Sequence, residues 1–116
     1  MDIARFLPLK PKVFMVLLAL RKDASHGYAI RKDVLKRSEG AVELDPGGLY
    51  RLIARLESDG LIEPVLSRPP VGEDDGRRNY YGLTSVGHAV LAAEARRLAR
   101  LVDLPEVREM AKGAPA

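Results

Sequence analysis

The chain has no cysteine and no tryptophan, only two histidines, and aromatic residues at 5% of its 116 positions. Without cysteine there are no disulfides and no thiolate metal sites, and the redox compartment leaves no mark on the sequence. With only His26 and His88 available, a transition-metal ligand set is hard to assemble, so packing or helix capping is the expected role of His26. Long apolar runs are absent too. The longest, residues 13–20, falls well short of the ~20 residues that a membrane span needs. Asp2 precedes Arg5, and no small-residue cleavage site follows an apolar core, so no secretory leader is expected. No nucleophile is paired with a base and no Walker-type phosphate loop is present, which argues against an enzyme. The expectation is a cytoplasmic protein with no cofactor, no metal and no membrane partner.

Hydrophobic residues make up 47% of the chain. That is enough for one small core, or one domain with a helical appendage, whose burial dimerisation would assist. A net charge of +3 is by itself a weak sign of a nucleic-acid partner. The distribution says more, because Arg and Lys gather in residues 31–37, 51–55, 77–78 and 96–100. Any one of these runs, taken alone, reads as a solvated helix face.

Pro11 suits a first helical turn, and Val13, Val16, Leu17 and Leu20 follow at i, i+3, i+4 and i+7. Phe14, Met15 and Leu18 lie on the other side of the same helix. A helix apolar nearly all round leaves no face for water, so burial on two sides is expected, one of them against a second subunit. Ser25 is of a capping type for a second helix, in which Gly27, Tyr28, Ile30, Val34 and Leu35 precede a stop at Gly40. Its outer positions are Arg31, Lys32, Lys36 and Arg37. The alternation of Val42-Glu43-Leu44 predicts a short strand.

Residues 44–84 carry the clearest pattern. Asp45 and Pro46 open a helix, Leu49, Leu52, Ile53 and Leu56 form its apolar stripe, and Gly60 ends it. Tyr50, Arg51, Ala54, Arg55 and Ser58 fall outside the stripe. Gly47 and Gly48 leave room for a phosphate at the helix start. Leu61-Ile62-Glu63-Pro64-Val65 reads as a strand, residues 68–76 as a loop stiffened by Pro69 and Pro70, and the chain returns through Arg77-Arg78-Asn79-Tyr80-Tyr81-Gly82-Leu83. Helix, strand, loop and strand, with arginine on helix and loop, form the layout of a winged helix. Such a unit places a helix in a DNA groove and a basic hairpin over the neighbouring backbone.

Arg51 and Arg55 either read a guanine or grip phosphate, and solvated charge is the plain alternative. Arg31, Lys32 and Lys36 would flank the DNA backbone. Arg77 and Arg78 alternate on a strand, so one of the two should face any given surface. Thr84 suits the cap of a fourth helix, where Leu91, Ala95, Leu98 and Leu101 or Val102 recur roughly by heptad. Glu94 and Arg97 are spaced for an i, i+3 pair. Pro105 interrupts this helix, and a tail with Val107 and Met110 adds one or two turns. The expected architecture is mainly α with a small antiparallel β-hairpin. It comprises a winged helix-turn-helix over residues 9–84, then a C-terminal dimerisation helix and short tail over residues 85–112. Phe14, Met15, Leu18, Leu91, Leu98, Leu101 and Val102 are the expected dimer interface.

His26-Gly27-Tyr28-Ala29-Ile30, then Leu49-Tyr50-Arg51-Leu52-Ile53-Ala54-Arg55-Leu56-Glu57-Ser58-Asp59-Gly60-Leu61-Ile62, then Arg77-Arg78-Asn79-Tyr80-Tyr81-Gly82-Leu83-Thr84-Ser85-Val86-Gly87 follow one another at characteristic spacing. In this the chain resembles the PadR family of bacterial transcriptional regulators. The resemblance implies a homodimeric winged helix-turn-helix, usually a repressor on an inverted repeat in double-stranded DNA, with the terminal helices building the dimer. Many members release DNA on binding a small-molecule effector, and the effectors differ widely. The family's phosphate-contacting tyrosine falls on Tyr50. Ser or Thr usually precedes the Leu-Tyr pair. Gly48 stands there in this chain, leaving its backbone N–H as the donor. Glu73-Asp74-Asp75 puts negative charge at the wing tip, so Arg77 and Arg78 are expected to carry the wing's contact. The tryptophan with which some drug-binding relatives line a flat pocket is missing. Gly48 and the acidic tip favour the competing reading, a winged-helix module that binds proteins and not DNA.

Overall fold

Pro11 opens α1, Pro11–Ala19, at the position where its missing N–H costs nothing. The computed structural model describes residues 2–66 and 79–113. A short 3-10 turn, Ile3–Phe6, precedes α1. Then come β1 (Ser25–His26), α2 (Gly27–Arg37), α3 (Pro46–Ser58), β2 (Ile62–Val65), β3 (Tyr80–Leu83), α4 (Ser85–Val102) and α5 (Pro105–Gly113). The sheet has the order β1-β3-β2, antiparallel throughout, with Ile62 opposite Leu83, Val65 opposite Tyr80, and Ser25 opposite Tyr81. The structure is thus mainly α with a small antiparallel sheet, and the hairpin gains a third strand too short to show any alternation. No helix among the described residues is long and apolar enough to cross a membrane.

The core is formed by Val16, Leu17 and Leu20 of α1, Ile30 and Val34 of α2, Leu49, Ile53 and Leu56 of α3, and Val90 and Leu91 of α4, closed by Leu44, Leu61 and Ile62. Phe14, Met15 and Leu18 are half-buried against it. Leu91, expected at a dimer interface, is 5% exposed within its own chain, where it belongs to the core of an α4 that packs on α1 and the 3-10 turn. Its surface is already covered. Ala95 is exposed, and Gly87, Val90, Leu91 and Glu94 form the buried stripe of α4 instead. Leu98 is half-buried, while Leu101 and Val102 are exposed. On α2, Tyr28 and Leu35 face solvent and only Gly27, Ile30 and Val34 are buried.

Two other expectations change for local reasons. His26, not Ser25, is the N-cap of α2: its Nδ1 accepts the Ala29 N–H at 3.3 Å while its ring meets Tyr80 edge-on, 5.2 Å between centroids. Ser25 is drawn into pairing with β3 instead. Val42-Glu43-Leu44 forms no strand. The Val42 N–H donates to Ser38 Oγ at 2.9 Å and the Leu44 carbonyl accepts from Arg31 Nε at 2.8 Å. Side chains have taken the backbone groups that a strand would have paired.

Both ends of α3 are anchored. Asp45 accepts the Gly48 N–H at 2.9 Å as N-cap. At the other end Gly60 takes φ +79, with Gly60 N–H donating to the Glu57 carbonyl and Leu61 N–H to the Leu56 carbonyl, both at 3.0 Å. That is the paired bonding of a Schellman C-cap. Thr84 then ties α3 to α4. Its hydroxyl donates to the Gly60 carbonyl at 2.6 Å and accepts the Gly87 N–H at 3.0 Å, while its own N–H donates to the Leu61 carbonyl. Gly87 sits so close to that carbonyl that an added Cβ would lie 2.0 Å from the Leu61 oxygen.

Glu94 is 1% exposed. Arg97 grips it through Nε at 2.5 Å and a terminal nitrogen at 3.0 Å, and the Leu9 N–H donates to it at 2.9 Å. The expected i, i+3 pair is therefore present, but it is a buried clasp holding the N-terminal segment against α4. Arg97 above all, with help from Leu9, holds the carboxyl below its ordinary value of 4.5 against the opposing pull of burial.

Gly87→Ala should destabilise the protein by at least ~2 kcal/mol, as overpacking against rigid backbone does. Urea denaturation midpoints check this, and a midpoint equal to wild type would contradict the close approach. Glu94→Gln should cost about 1–3 kcal/mol at neutral pH, since a charge-assisted clasp is lost and Arg97 is left without its partner. The depressed folded value makes this stabilisation complete above the unfolded carboxyl value and lost as pH falls through the folded one. The stability gap between wild type and variant should therefore be full at pH 7 and close progressively below about pH 4.5. A gap that persists in acid would assign Glu94 a packing role alone.

Candidate nucleic-acid interface

With its stripe turned inward, α3 presents Tyr50, Arg51, Ala54, Arg55 and Ser58 outward. Tyr50 is 57% exposed, and its hydroxyl rests over α2, 3.2 Å from where a Cβ on Gly27 would be. The lack of a side chain at Gly27 thus lets the Tyr50 ring lie along the α2 N-terminus, which orients it without burying it. Arg51 runs back along the helix, its guanidinium 3.3 Å from a Cβ built on Gly47. Arg55 is 79% exposed and makes only a loose approach of 3.7 Å to Asp59, so its charge remains available.

The start of α3 is less open to an anion than the glycines suggest. The Gly48 N–H is occupied by the Asp45 carboxylate. That bond first, then Arg51 and Lys12, holds the Asp45 carboxyl below its ordinary range, so it is charged at neutral pH. A Cβ on Gly48 would stand 2.7 Å from Asp45 Oδ1, so this cap geometry suits glycine. The Gly48 N–H therefore serves the helix's own cap, and Gly47 gives room to Arg51.

The basic residues of α2 divide by partner. Arg31 is half-buried, and its Nε bridges α2 to the Leu44 carbonyl, one residue before the α3 cap. It positions the helix. Arg37 is paired with Asp33 at 2.8 Å. Lys36 is exposed, and so is Lys32, whose ammonium sits 5.3 Å from the centre of the Tyr28 ring. The structure thus brings Tyr50, Arg51 and Arg55 onto one exposed face of α3 and leaves Lys32 and Lys36 exposed on α2. Arg77 and Arg78, with Glu73-Asp74-Asp75, lie outside the described residues.

The sequence reading missed Lys10 and Lys12, which border the same side of α3 as Arg51. Their signal was available, since they flank the Pro11 that opens α1. Among the described residues no three His, Asp or Glu side chains gather as a metal site would require.

Residues 16–93 match the Transcriptional regulator PadR-like family. An uncharacterized 37.1 kDa protein in transposon TN4556 of Streptomyces fradiae is 38% identical over 87 residues, which is 75% of this chain and 23% of that protein. This chain therefore spans about a quarter of that relative's length. The solved PadR-like transcriptional regulator from Bacillus cereus strain ATCC 14579 has a TM-score of 0.68 at 22% identity, covering 88% of this chain and 92% of that one. A PadR family transcription regulator from hypervirulent Clostridium difficile R20291 gives 0.59 at 26% identity over 81% of this chain and 96% of that one. The family match runs from within α1 to within α4, across the elements that build the winged helix, and the chain belongs to the PadR-like family of transcriptional regulators.

Proposed function

We propose that the protein is a cytoplasmic homodimeric repressor that binds an inverted-repeat operator in double-stranded DNA, with α3 as the recognition helix. The observation that carries this is the exposed face of Tyr50, Arg51 and Arg55 on a helix anchored at both ends. A rigid helix with an exposed cationic face suits a major groove, and exposed Lys32 and Lys36 on the preceding helix suit the flanking backbone. Residues 9–84 would form the DNA-binding part and residues 85–112 the dimerisation part. Leu98, Leu101 and Val102 of α4, left partly or largely uncovered, would meet a second copy together with the half-buried flank of α1, Phe14, Met15 and Leu18. In such a dimer the two α3 helices would enter successive grooves about 34–36 Å apart. Release by a small-molecule effector belongs to the same reading.

Tyr50→Ala combined with Arg51→Ala should weaken binding to the upstream intergenic DNA by about tenfold or more, while the helical circular dichroism stays unchanged. A folded double variant that binds like wild type would refute α3 as the recognition helix. In a salt series on the wild type, log affinity should fall against log salt with a slope of about −0.9 per phosphate neutralised. A stable dimer with no salt-dependent DNA affinity would instead support the protein-binding alternative.

A further inference from the structure

Tyr28 is the second residue of α2 and is 56% exposed. The side of α2 that holds the core is Gly27, Ile30 and Val34, and Tyr28 stands off it. An aromatic ring left in water on a helix adds little to the fold, yet this one has a partner. The Lys32 ammonium lies 5.3 Å from its centroid, inside the ~6 Å over which a ring face attracts a cation. The two residues are i and i+4, and helical side chains lean toward the N-terminus, so the lysine stem folds back toward the ring. Lys32 is itself exposed, and Asp33, the carboxylate beside it in sequence, is taken by Arg37 at 2.8 Å.

The pair adjoins the candidate nucleic-acid interface. Gly27 and Arg31 form the row of α2 turned to α3, since the Tyr50 hydroxyl rests over Gly27 and Arg31 reaches the Leu44 carbonyl. Tyr28 and Lys32 form the adjoining row, about 100° round the helix, and stay open to solvent. By leaning back to Tyr28, the ammonium is drawn from the middle of α2 to the end that Tyr50 covers. A free lysine samples many rotamers, and meeting a phosphate costs it that freedom. A ring that already favours one orientation lowers the cost.

We propose that Tyr28 is a positioning residue for DNA binding, its ring holding the Lys32 ammonium at the Tyr50 end of α2 for a backbone phosphate. This role rests on the DNA reading above. Lys32 makes the contact, and Tyr28 acts through it. The ring carries no charge and reads no base, so its effect is independent of DNA sequence. Phe offers a cation the same face, whereas Leu fills the space without attracting one.

Fluorescence anisotropy on two labelled duplexes tests this, the upstream intergenic DNA and a scrambled one, at low salt where backbone contacts alone hold a duplex. Tyr28→Leu should weaken binding to both by about fivefold, a little over twofold from each protomer, while Tyr28→Phe stays within about twofold of wild type. In a Lys32→Ala background Tyr28→Leu should add no further loss. Lys32→Ala should also flatten the salt slope by about 0.9 per protomer, and Tyr28→Leu should leave it unchanged. Urea midpoints equal to wild type keep folding out of the comparison. Without DNA, the Lys32 side-chain protons should show an upfield ring-current shift in wild type and Tyr28→Phe and none in Tyr28→Leu. A wild type lacking that shift would overturn the pair. Equal losses from Tyr28→Leu with and without Lys32, or a Tyr28→Phe loss as large as that of Tyr28→Leu, would overturn positioning. If wild type binds neither duplex, the proposed function fails and takes the phosphate contact with it. If wild type binds and Tyr28→Leu binds equally well, the role of Tyr28 alone fails.

Discussion

The junction of α3, β2 and α4 governs the rest of the molecule. Gly60, Leu61, Thr84 and Gly87 interlock there through backbone groups, with one threonine hydroxyl donating to the end of α3 and accepting from the start of α4. The Leu61 carbonyl receives the Thr84 N–H and leaves no room for a side chain at Gly87. Because these are main-chain contacts, they fix the angle between helices more tightly than apolar packing, which tolerates repacking. The direction in which α3 points, and so any surface that Tyr50, Arg51 and Arg55 build, follows from this junction.

At its other end α3 is held by a chain of local bonds running Arg31, Leu44, Asp45 and Gly48. Among the described residues, the cations on and around α2, α3 and α4 include two groups. Arg31, Arg37 and Arg97 are engaged by oxygens of their own chain and maintain shape. Lys32, Lys36, Arg51 and Arg55 are exposed and present charge outward. A net charge of only +3 understates this, because the cations on α3 and at the start of α1 share one side of the molecule.

Local patterns were readable where their physics is local. The α3 stripe, the Asp45 and Thr84 caps and the Gly60 stop all follow from side chains acting within a turn of themselves, and each is found where its residue type indicates. The strand at residues 42–44 was misread because Arg31 and Ser38 compete for its backbone groups, and neither competition is visible from alternation. The third strand was missed because two residues carry no period. Within the candidate interface, Tyr50, Arg51 and Arg55 were legible from helical spacing. The structural uses of Arg31 and Gly48 were not, since each depends on one particular partner.

The sequence by itself determined the helices, the caps of α3, the N-cap of α4 and the cationic composition of α3, because capping, periodicity and charge are properties of neighbouring residues. Only the tertiary structure decided which charges are free. Glu94 looks like any exposed helix glutamate until Leu9, 85 positions away, donates to it. Leu91 fits an interface heptad until the core of its own chain covers it. Burial and hydrogen-bond partnership across long sequence separations depend on the packing of whole elements, and that information exists only once the chain has folded.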